Sequence, residues 1–373
     1  MSKDFLKRQI ITAIDAMVPE LKNLSLSLHK NPELGSQEYE AAKLLVSLAK
    51  QKGFSVQAGI SGYETAFIAT KGTGNPKIAF LAEYDALPGL GHACGHNLIA
   101  AMSFGAAAAF AAVAGEQATS YLIGCPAEET AGAKVQLSAD GVFSGLKAAL
   151  IVHPADGNYL GGTSYATHPL QITFYGRPAH VASKADKGIN ALDALLLFYQ
   201  GVKTLRQTFT KETILAGIIT DGGTAPNIVP DRAQARFTVR ALSSDYLEET
   251  VLPGMRRLAE GIALATGTTV EAVHYEPLFK ELKNDPALLT LYQHNMALLG
   301  EKVVLLGEGE ADGSTDVGNV SHCVPTIHPD IAIGSGITAH TKEFAEAAAS
   351  DYAQQRVLVG AKAMAMTAID LLE

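Results

Sequence analysis

The chain has 373 residues, 47% of them apolar and 18% charged, which supplies ample core for a soluble globular protein of two or three domains and excludes a disordered chain. A net charge of −9 at pH 7 argues against a nucleic-acid surface and against docking on anionic lipid. Three cysteines, Cys94, Cys125 and Cys323, are too few and too widely spaced for a disulfide framework, so a reducing cytoplasm is the expected location. The N-terminal stretch "MSKDFLKRQIITAIDAM" lacks the unbroken apolar segment and cleavage site of a signal peptide.

In chain order, residues 4–30 carry a Leu-rich face at helical spacing and are expected to form one helix. "SQEYEAAKLLVSLAKQKG" predicts the next, with Ser36 placed to cap it, Glu38 in its first turn and Gly53 stopping it. Four short apolar runs each end in polar or glycine-rich residues. "KIAFLAEYD" ends at Glu83 and Asp85, "SYLIGCPAEE" at Glu128 and Glu129, "KAALIVHP" at His153, and "TIHPDIAIGSG" in a loop that reaches His340. Helical segments separate several of them, which predicts an α/β sheet with ligands bound beyond the carboxyl ends of its strands. Residues 98–115 carry no charge. That length touches the membrane threshold, but alanine and glycine dominate, and a helix buried against the sheet is expected.

The middle of the chain changes character. "LQITFYGRPAH", "TILAGIIT", "RAQARFTVRA" and "TTVEAVHYE" alternate as strands, while "NALDALLLFYQGVKTLRQT" and "YLEETVLPGMRRLAEGIALATG" are helical, the second with a break or start near Pro253. The order β-α-β-β-α-β is that of a ferredoxin-like unit. The expected organisation is an α+β module at 165–278 inserted into an α/β domain formed by 1–164 and 279–373.

The stretch "GHACGHN" places Cys94 and His96 two apart. In an extended segment both side chains point the same way, and Gly95 permits a close bend. Thiolate and imidazole together suit zinc or a similar ion, although a cysteine near a histidine more commonly fills a core. Glu128 and Glu129 follow Pro126, and one carboxylate of such a pair can bind metal while the other acts as general base. An exposed acidic pair is the plain alternative. His153 and His340, taken singly, are a strand-end histidine and a neighbour of a helix cap. The weight lies in four such sites all falling beyond apolar runs.

Six segments carry a further signal: "SLHKNPELGSQEYEAAKLL", "LAEYDALPGLGHACGHNLIAAMSFGAA", "PAEETAGAK", "GRPAHVASKADKGINALDAL", "GGTAPNIVPDRAQARFTVRA" and "GSTDVGNVS". In this order they resemble the aminoacylase/carboxypeptidase G family of dinuclear zinc amidohydrolases, and within it the branch of aminobenzoyl-glutamate hydrolases and aminoacylase-1-like-2 dipeptidases. The resemblance spans nearly the whole chain. It implies a zinc-peptidase-like mixed α/β sheet flanked by helices, with 165–278 as an inserted ferredoxin-like dimerisation or lid domain. It implies two divalent metal ions per protomer, zinc first, with manganese or cobalt as alternatives. Cys94 would bridge the two, and His96, Glu129, His153 and His340 would complete the ligands. Glu128 would be the general base, with Asp85 supporting the site from behind. His180 would reach the partner's active site in a homodimer and stabilise the oxyanion, and Asn227 and Arg240 would hold the substrate's carboxylate. The family's usual aspartate after C-G-H is Asn97 here, as in the dipeptidase-like branch, which removes a charge expected beside the metals.

The implied activity is hydrolysis, by a metal-activated water with a glutamate base, of the amide bond of an N-acyl amino acid, an aminobenzoyl-glutamate-like compound or a dipeptide with a free carboxylate. No nucleic-acid or membrane partner is expected. A non-catalytic binding or scaffolding protein on the same fold would be expected to have lost a ligand or the base, and none is missing. A cysteine hydrolase using Cys94 would leave two histidines and two glutamates without a role. Cys125 and Cys323 are expected to pack as small hydrophobes. His92 stands near the metals but outside the motif, and His29, His168, His274, His294, His322 and His328 are expected at the surface or in local hydrogen bonds.

Overall fold

The computed structural model describes residues 2–183 and 185–373. The chain divides into two compact units, one made of the residues up to Thr163 together with Leu282–Glu373, the other of Ser164–Glu281.

The larger unit opens with α1 (Lys3–Asp15) and α2 (Val18–Lys30). Two helices stand where the Leu-rich periodicity suggested one. Pro19 lies in the first turn of α2 and has no N–H to continue a preceding helix. Next comes α3 (Tyr39–Gln51), terminated by Gly53 at φ +81°. Ser36 does not cap it; Glu38 stands at the cap position with its side chain turned inward. The chain continues through β1 (Ser55–Ile60), β2 (Tyr63–Lys71), β3 (Lys77–Ala82), α4 (His96–Ala114), β4 (Thr119–Gly124), α5 (Ala133–Ala139), β5 (Ala148–Leu150), β6 (His153–Ala155) and β7 (Tyr159–Thr163).

The second unit holds β8 (Ala166–Thr167), β9 (Leu170–Tyr175), α6 (Ala191–Arg206), β10 (Ile214–Asp221), β11 (Arg232–Ala241), α7 (Ser244–Tyr246), α8 (Leu252–Thr266) and β12 (Thr269–His274). Its sheet is antiparallel in the order β10-β11-β9-β12, with β8 on β11. That order, with α6 and α8 packed on the strands, is the ferredoxin-like arrangement. Alternation along β11 sends Ala233, Ala235, Phe237 and Val239 into the core, where Phe237 meets Phe198 of α6 edge-on.

The chain then returns to the larger unit with α9 (Pro286–Leu298), β13 (Val304–Ala311), α10 (Val317–Ser321), β14 (Thr326–Ile327), β15 (Asp330–Ala332), α11 (Lys342–Ala348) and α12 (Asp351–Asp370). Its main sheet runs β1-β2-β4-β3-β5-β14, parallel from β4 to β14 and antiparallel at β1 and β2. Two short parallel pairs, β13 with β7 and β15 with β6, complete it. The apolar helix α4 lies on β3 and β4 and is covered by α1, α2 and α12. By length and composition it could cross a membrane, yet it is mostly buried within this unit. Its small residues allow that closeness: a Cβ on Gly105 would lie 2.9 Å from Leu21 Cδ1.

Candidate metal centre

Parallel alignment of β3, β4 and β5 brings the residues that follow them to one end of the sheet. Glu83 and Asp85 follow β3, Glu128 and Glu129 follow β4, and His153 opens β6 just beyond β5. The loop after β3 also delivers Cys94, and His96 begins α4. Gly95 between them sits at φ +80°, and a Cβ there would fall 2.8 Å from Pro154 Cγ, so only glycine allows the bend. His340 comes from the loop before α11, at φ +64°, with its N–H donated to Ala93 O at 2.8 Å.

These residues converge. Ligand atoms of Cys94, His96 and His153 lie within 4.8 Å of one another, as do those of Cys94, Glu129 and His340, and those of His96, Glu128 and Glu129. Cys94 is common to the first two groups. The histidines are oriented from behind: His96 Nδ1 donates to Asp85 Oδ1 at 2.9 Å, and His153 Nδ1 donates to Pro154 O at 2.8 Å. With Nδ1 engaged from behind, each ring turns Nε2 inward. His153 Nε2 lies 3.4 Å from Cys94 Sγ, and His96 Nε2 lies 3.8 Å from Glu129 Oε1 and 4.0 Å from Glu128 Oε2. His340 Nε2 lies 3.4 Å from Glu129 Oε1.

Buried His96 Nε2 and Glu129 Oε1 have no hydrogen-bond partner among the described residues. Carboxylates and ring nitrogens turned on one another in a buried pocket are costly unless a cation lies among them. One sulfur, imidazole nitrogens and carboxylate oxygens form a donor set suited to divalent transition ions, so the residues fit a metal centre. The titration behaviour agrees. Burial pushes the Cys94 thiol up, and burial with the neighbouring Glu83 and Glu129 charges carries Glu128 well above the usual carboxylate range. Burial opposes ionisation of Glu129 too, yet His340 and His96 hold it at about 2. Divalent cations would favour the ionised thiolate and carboxylates throughout.

Two supporting carboxylates fix this arrangement. Asp85 accepts from the His96 ring with one oxygen and from the Glu129 N–H at 3.0 Å with the other. Glu38, fully buried, accepts from the Ala127 N–H at 2.7 Å and from Thr65 Oγ1 at 3.0 Å. It thereby secures Ala127 at φ +59°, the turn that presents Glu128 and Glu129. Sequence reasoning gave Glu38 only a place in a helix's first turn; its one distinguishing signal is its position inside the first resembling segment. Asn97, expected beside the metals, instead points away. Its Nδ2 donates to Ser25 Oγ at 3.0 Å and to Ala348 O at 3.3 Å. His328, given an ordinary role, is packed against the His153 ring at 5.4 Å between centroids. Cys125 is buried, whereas Cys323, expected to pack, is exposed.

The remaining expected residues belong to the second unit. His180 and Asn227 lie on adjoining loops: His180 bridges Ile228, and Val181 N–H donates to Asn227 O at 3.2 Å. Both side chains are exposed. His180 Nδ1 accepts from the Ala182 N–H at 3.2 Å, which leaves Nε2–H as an outward donor. Arg240 is near the far end of β11, eight residues after the strand's start at Arg232. At a rise of ~3.3 Å per residue that is about 26 Å.

A buried pocket of thiol, imidazole and carboxylate donors at the carboxyl end of a parallel sheet, with a spare glutamate beside it, defines a metallohydrolase. Comparison with known proteins narrows the class. Residues 169–252 match the family model described as a peptidase dimerisation domain. The chain is 35% identical to the Xaa-Arg dipeptidase of Mus musculus over 99% of its own length and 89% of that protein. It is 28% identical to one of the component chains of p-aminobenzoyl-glutamate hydrolase from Escherichia coli (strain K12), over 98% and 91%. Its fold matches that of a dinuclear metal-binding peptidase of the M20 family from Bacillus subtilis, with a TM-score of 0.74 and 24% identity over 96% of this chain and 99% of that one. The chain belongs to the M20 family of metallopeptidases, and it is a metal-dependent amidohydrolase.

Proposed function

We propose that this enzyme cleaves the amide bond of dipeptides or N-acyl amino acids that carry a free carboxylate, with dipeptides ending in arginine as the first substrates to test. The likeness to Xaa-Arg dipeptidase over 99% of the chain supports that order, and the likeness to p-aminobenzoyl-glutamate hydrolase keeps acyl-glutamates in the panel. The observation that carries the reading is the sharing of Cys94 between two donor groups, one with His96 and His153, the other with Glu129 and His340. These five residues would hold two divalent ions, zinc first, with manganese or cobalt as substitutes.

When bound, such ions polarise the scissile carbonyl and acidify water. Glu128 takes the proton of the attacking water and delivers it to the leaving amine. Asp85 keeps His96 in the tautomer whose Nε2 faces inward, and Glu38 holds the Glu128–Glu129 turn. His180 supplies an Nε2–H donor where negative charge develops on the oxygen. Arg240 grips the substrate carboxylate with paired hydrogen bonds.

A homodimer completes the reading. β10 is an edge strand with Ile218 65% exposed, and Ile214, Ile219 and, on α6, Leu196 and Leu197 are exposed as well. An apolar edge of this kind is a template for pairing with a second copy. His180 and Asn227 of one chain would then serve the partner's centre while Arg240 comes from the other. A cytoplasmic location fits three unpaired cysteines.

The test is turnover of a panel of dipeptides, N-acyl amino acids and aminobenzoyl-glutamate after chelation and after reloading with zinc, manganese or cobalt. Activity lost on chelation and restored by metal is expected. Turnover indifferent to chelators would overturn the reading, and a purified protein carrying far less than one equivalent of metal would favour a non-catalytic role.

A further inference from the structure

Three buried charged residues lie in the resembling segments without a role so far: Glu83 in "LAEYD", Lys134 in "AEETAGAK" and Asp316 in "GSTDVGNVS". The fold brings them together. Lys134, fully buried on α5, places Nζ 2.5 Å from Asp316 Oδ1 and 2.8 Å from Glu83 Oε1. The Lys134 backbone N–H donates to Asp316 Oδ2 at 3.0 Å, so the aspartate clamps the lysine at both ends. Lys134 and Asp316 alone make a neutral pair. Glu83, only 1% exposed, adds a negative charge that this pair does not need. Among the described residues, the Lys134 ammonium is its one ion-pair partner apart from the His96 ring.

The other oxygen of Glu83 faces the metal pocket. Oε2 lies 3.6 Å from His96 Nε2, nearer than either Glu129 at 3.8 Å or Glu128 at 4.0 Å. Since His96 Nδ1 donates to Asp85, Nε2 is the ring nitrogen that faces the pocket. A carboxylate oxygen and an imidazole nitrogen thus face each other in a buried site. A cation between them satisfies both, and the ammonium on the opposite oxygen fixes the carboxylate's direction.

Resting on the metal-centre reading above, we propose that Glu83 is a further ligand of that centre, binding the cation held by Cys94, His96 and His153, and that Lys134, clamped by Asp316, is the positioning residue that aims it. The surplus buried charge then has a purpose. It also brings a third carboxylate to a centre where Glu128 must stay free of the metal to carry protons.

Metal binding rather than turnover tests this. The apo-protein would be titrated with cobalt(II), following the thiolate-to-cobalt absorption in the near ultraviolet and the visible bands that report coordination number, with zinc affinity measured by chelator competition. Wild-type protein is expected to bind two equivalents. Glu83→Gln should retain the thiolate band, change the visible bands and weaken one of the two equivalents by at least about 10- to 100-fold, the range seen on losing even an outer partner of a metal ligand. Lys134→Met should weaken the same equivalent while leaving Glu83 in place. If Glu83→Gln fails to fold, Glu83→Asp, which keeps the charge but withdraws it from the pocket, should give the same selective weakening. Two equivalents at wild-type affinity with unchanged cobalt bands in a folded Glu83 variant would overturn the proposal. Wild-type protein that binds no metal would instead sink the metal-centre reading itself.

Discussion

The two units carry their functional side chains in opposite ways. In the larger unit four candidate site residues are held from behind: His96 by Asp85, His153 by the Pro154 carbonyl, and Glu128 and Glu129 by a turn tied to Glu38. In the second unit His180 and Asn227 stand exposed on loops, and Arg240 lies near the end of β11. The first region is preorganised on one chain. The second holds its candidate residues on exposed loops and near the end of one strand. Rigid burial suits groups that must meet a cation within tenths of an ångström, whereas exposed loop residues suit a site finished by another surface.

The sharpest way to break this contrast is to remove the proton carrier while leaving the cage intact. Glu128→Gln is expected to lower kcat by roughly 10²–10⁴-fold with metal content and KM little changed. Full activity in that variant would end the base assignment. Next in size, His180→Ala should lose roughly 10²–10³-fold in kcat, as expected for one oxyanion donor. Mixing it with Glu128→Gln sharpens the comparison further. If His180 acts across a dimer, heterodimers of the two inactive variants contain one intact centre of two and recover up to about half the wild-type activity per heterodimer. If it acts within its own chain, no mixture regains activity. Arg240→Lys should act mainly on KM, raising it about tenfold for loss of one arm of a paired contact, as steady-state kinetics on a carboxylate-bearing substrate would show.

Much of this was legible in the sequence, and for a physical reason. Strand ends in a parallel sheet must gather, so apolar runs ending at Glu83, Glu128 and His153 point to a common pocket. The β-α-β-β-α-β alternation likewise specified the second sheet. What stayed hidden depends on direction rather than pattern. Glu38 occupies a helix-start position that any acidic residue favours, and only its inward rotamer under Ala127 reveals its work. Lys134 and Asp316 lie 182 positions apart, and nothing in either local pattern signals a buried pair. The single long N-terminal helix failed because a continuous Leu periodicity outweighed one proline.

Asn97 is the instructive case of a residue whose partners its sequence position did not reveal. Its sequence position suggested a charge removed from beside the metals, yet its amide donates to Ser25 and to the Ala348 carbonyl, away from the pocket. Those partners are oxygen acceptors, which explains an amide there: a carboxylate would turn a negative charge on a backbone carbonyl in a fully buried site. Asn97→Asp is therefore expected to cost about 3 kcal/mol of stability at neutral pH while metal stoichiometry stays at the wild-type value. The pH dependence follows from the same cause. Burial raises the folded-state pKa of the introduced carboxyl above its unfolded value of about 3.9, so the folded variant keeps a proton that the unfolded chain gives up. Stability relative to wild type is then nearly unaffected below about pH 4 and falls by up to about 1.4 kcal/mol per pH unit above it. Urea unfolding of both proteins at pH 4, 5.5 and 7, beside a metal assay, measures this directly. A variant as stable as wild type at pH 7 but short of metal would return Asn97 to the pocket.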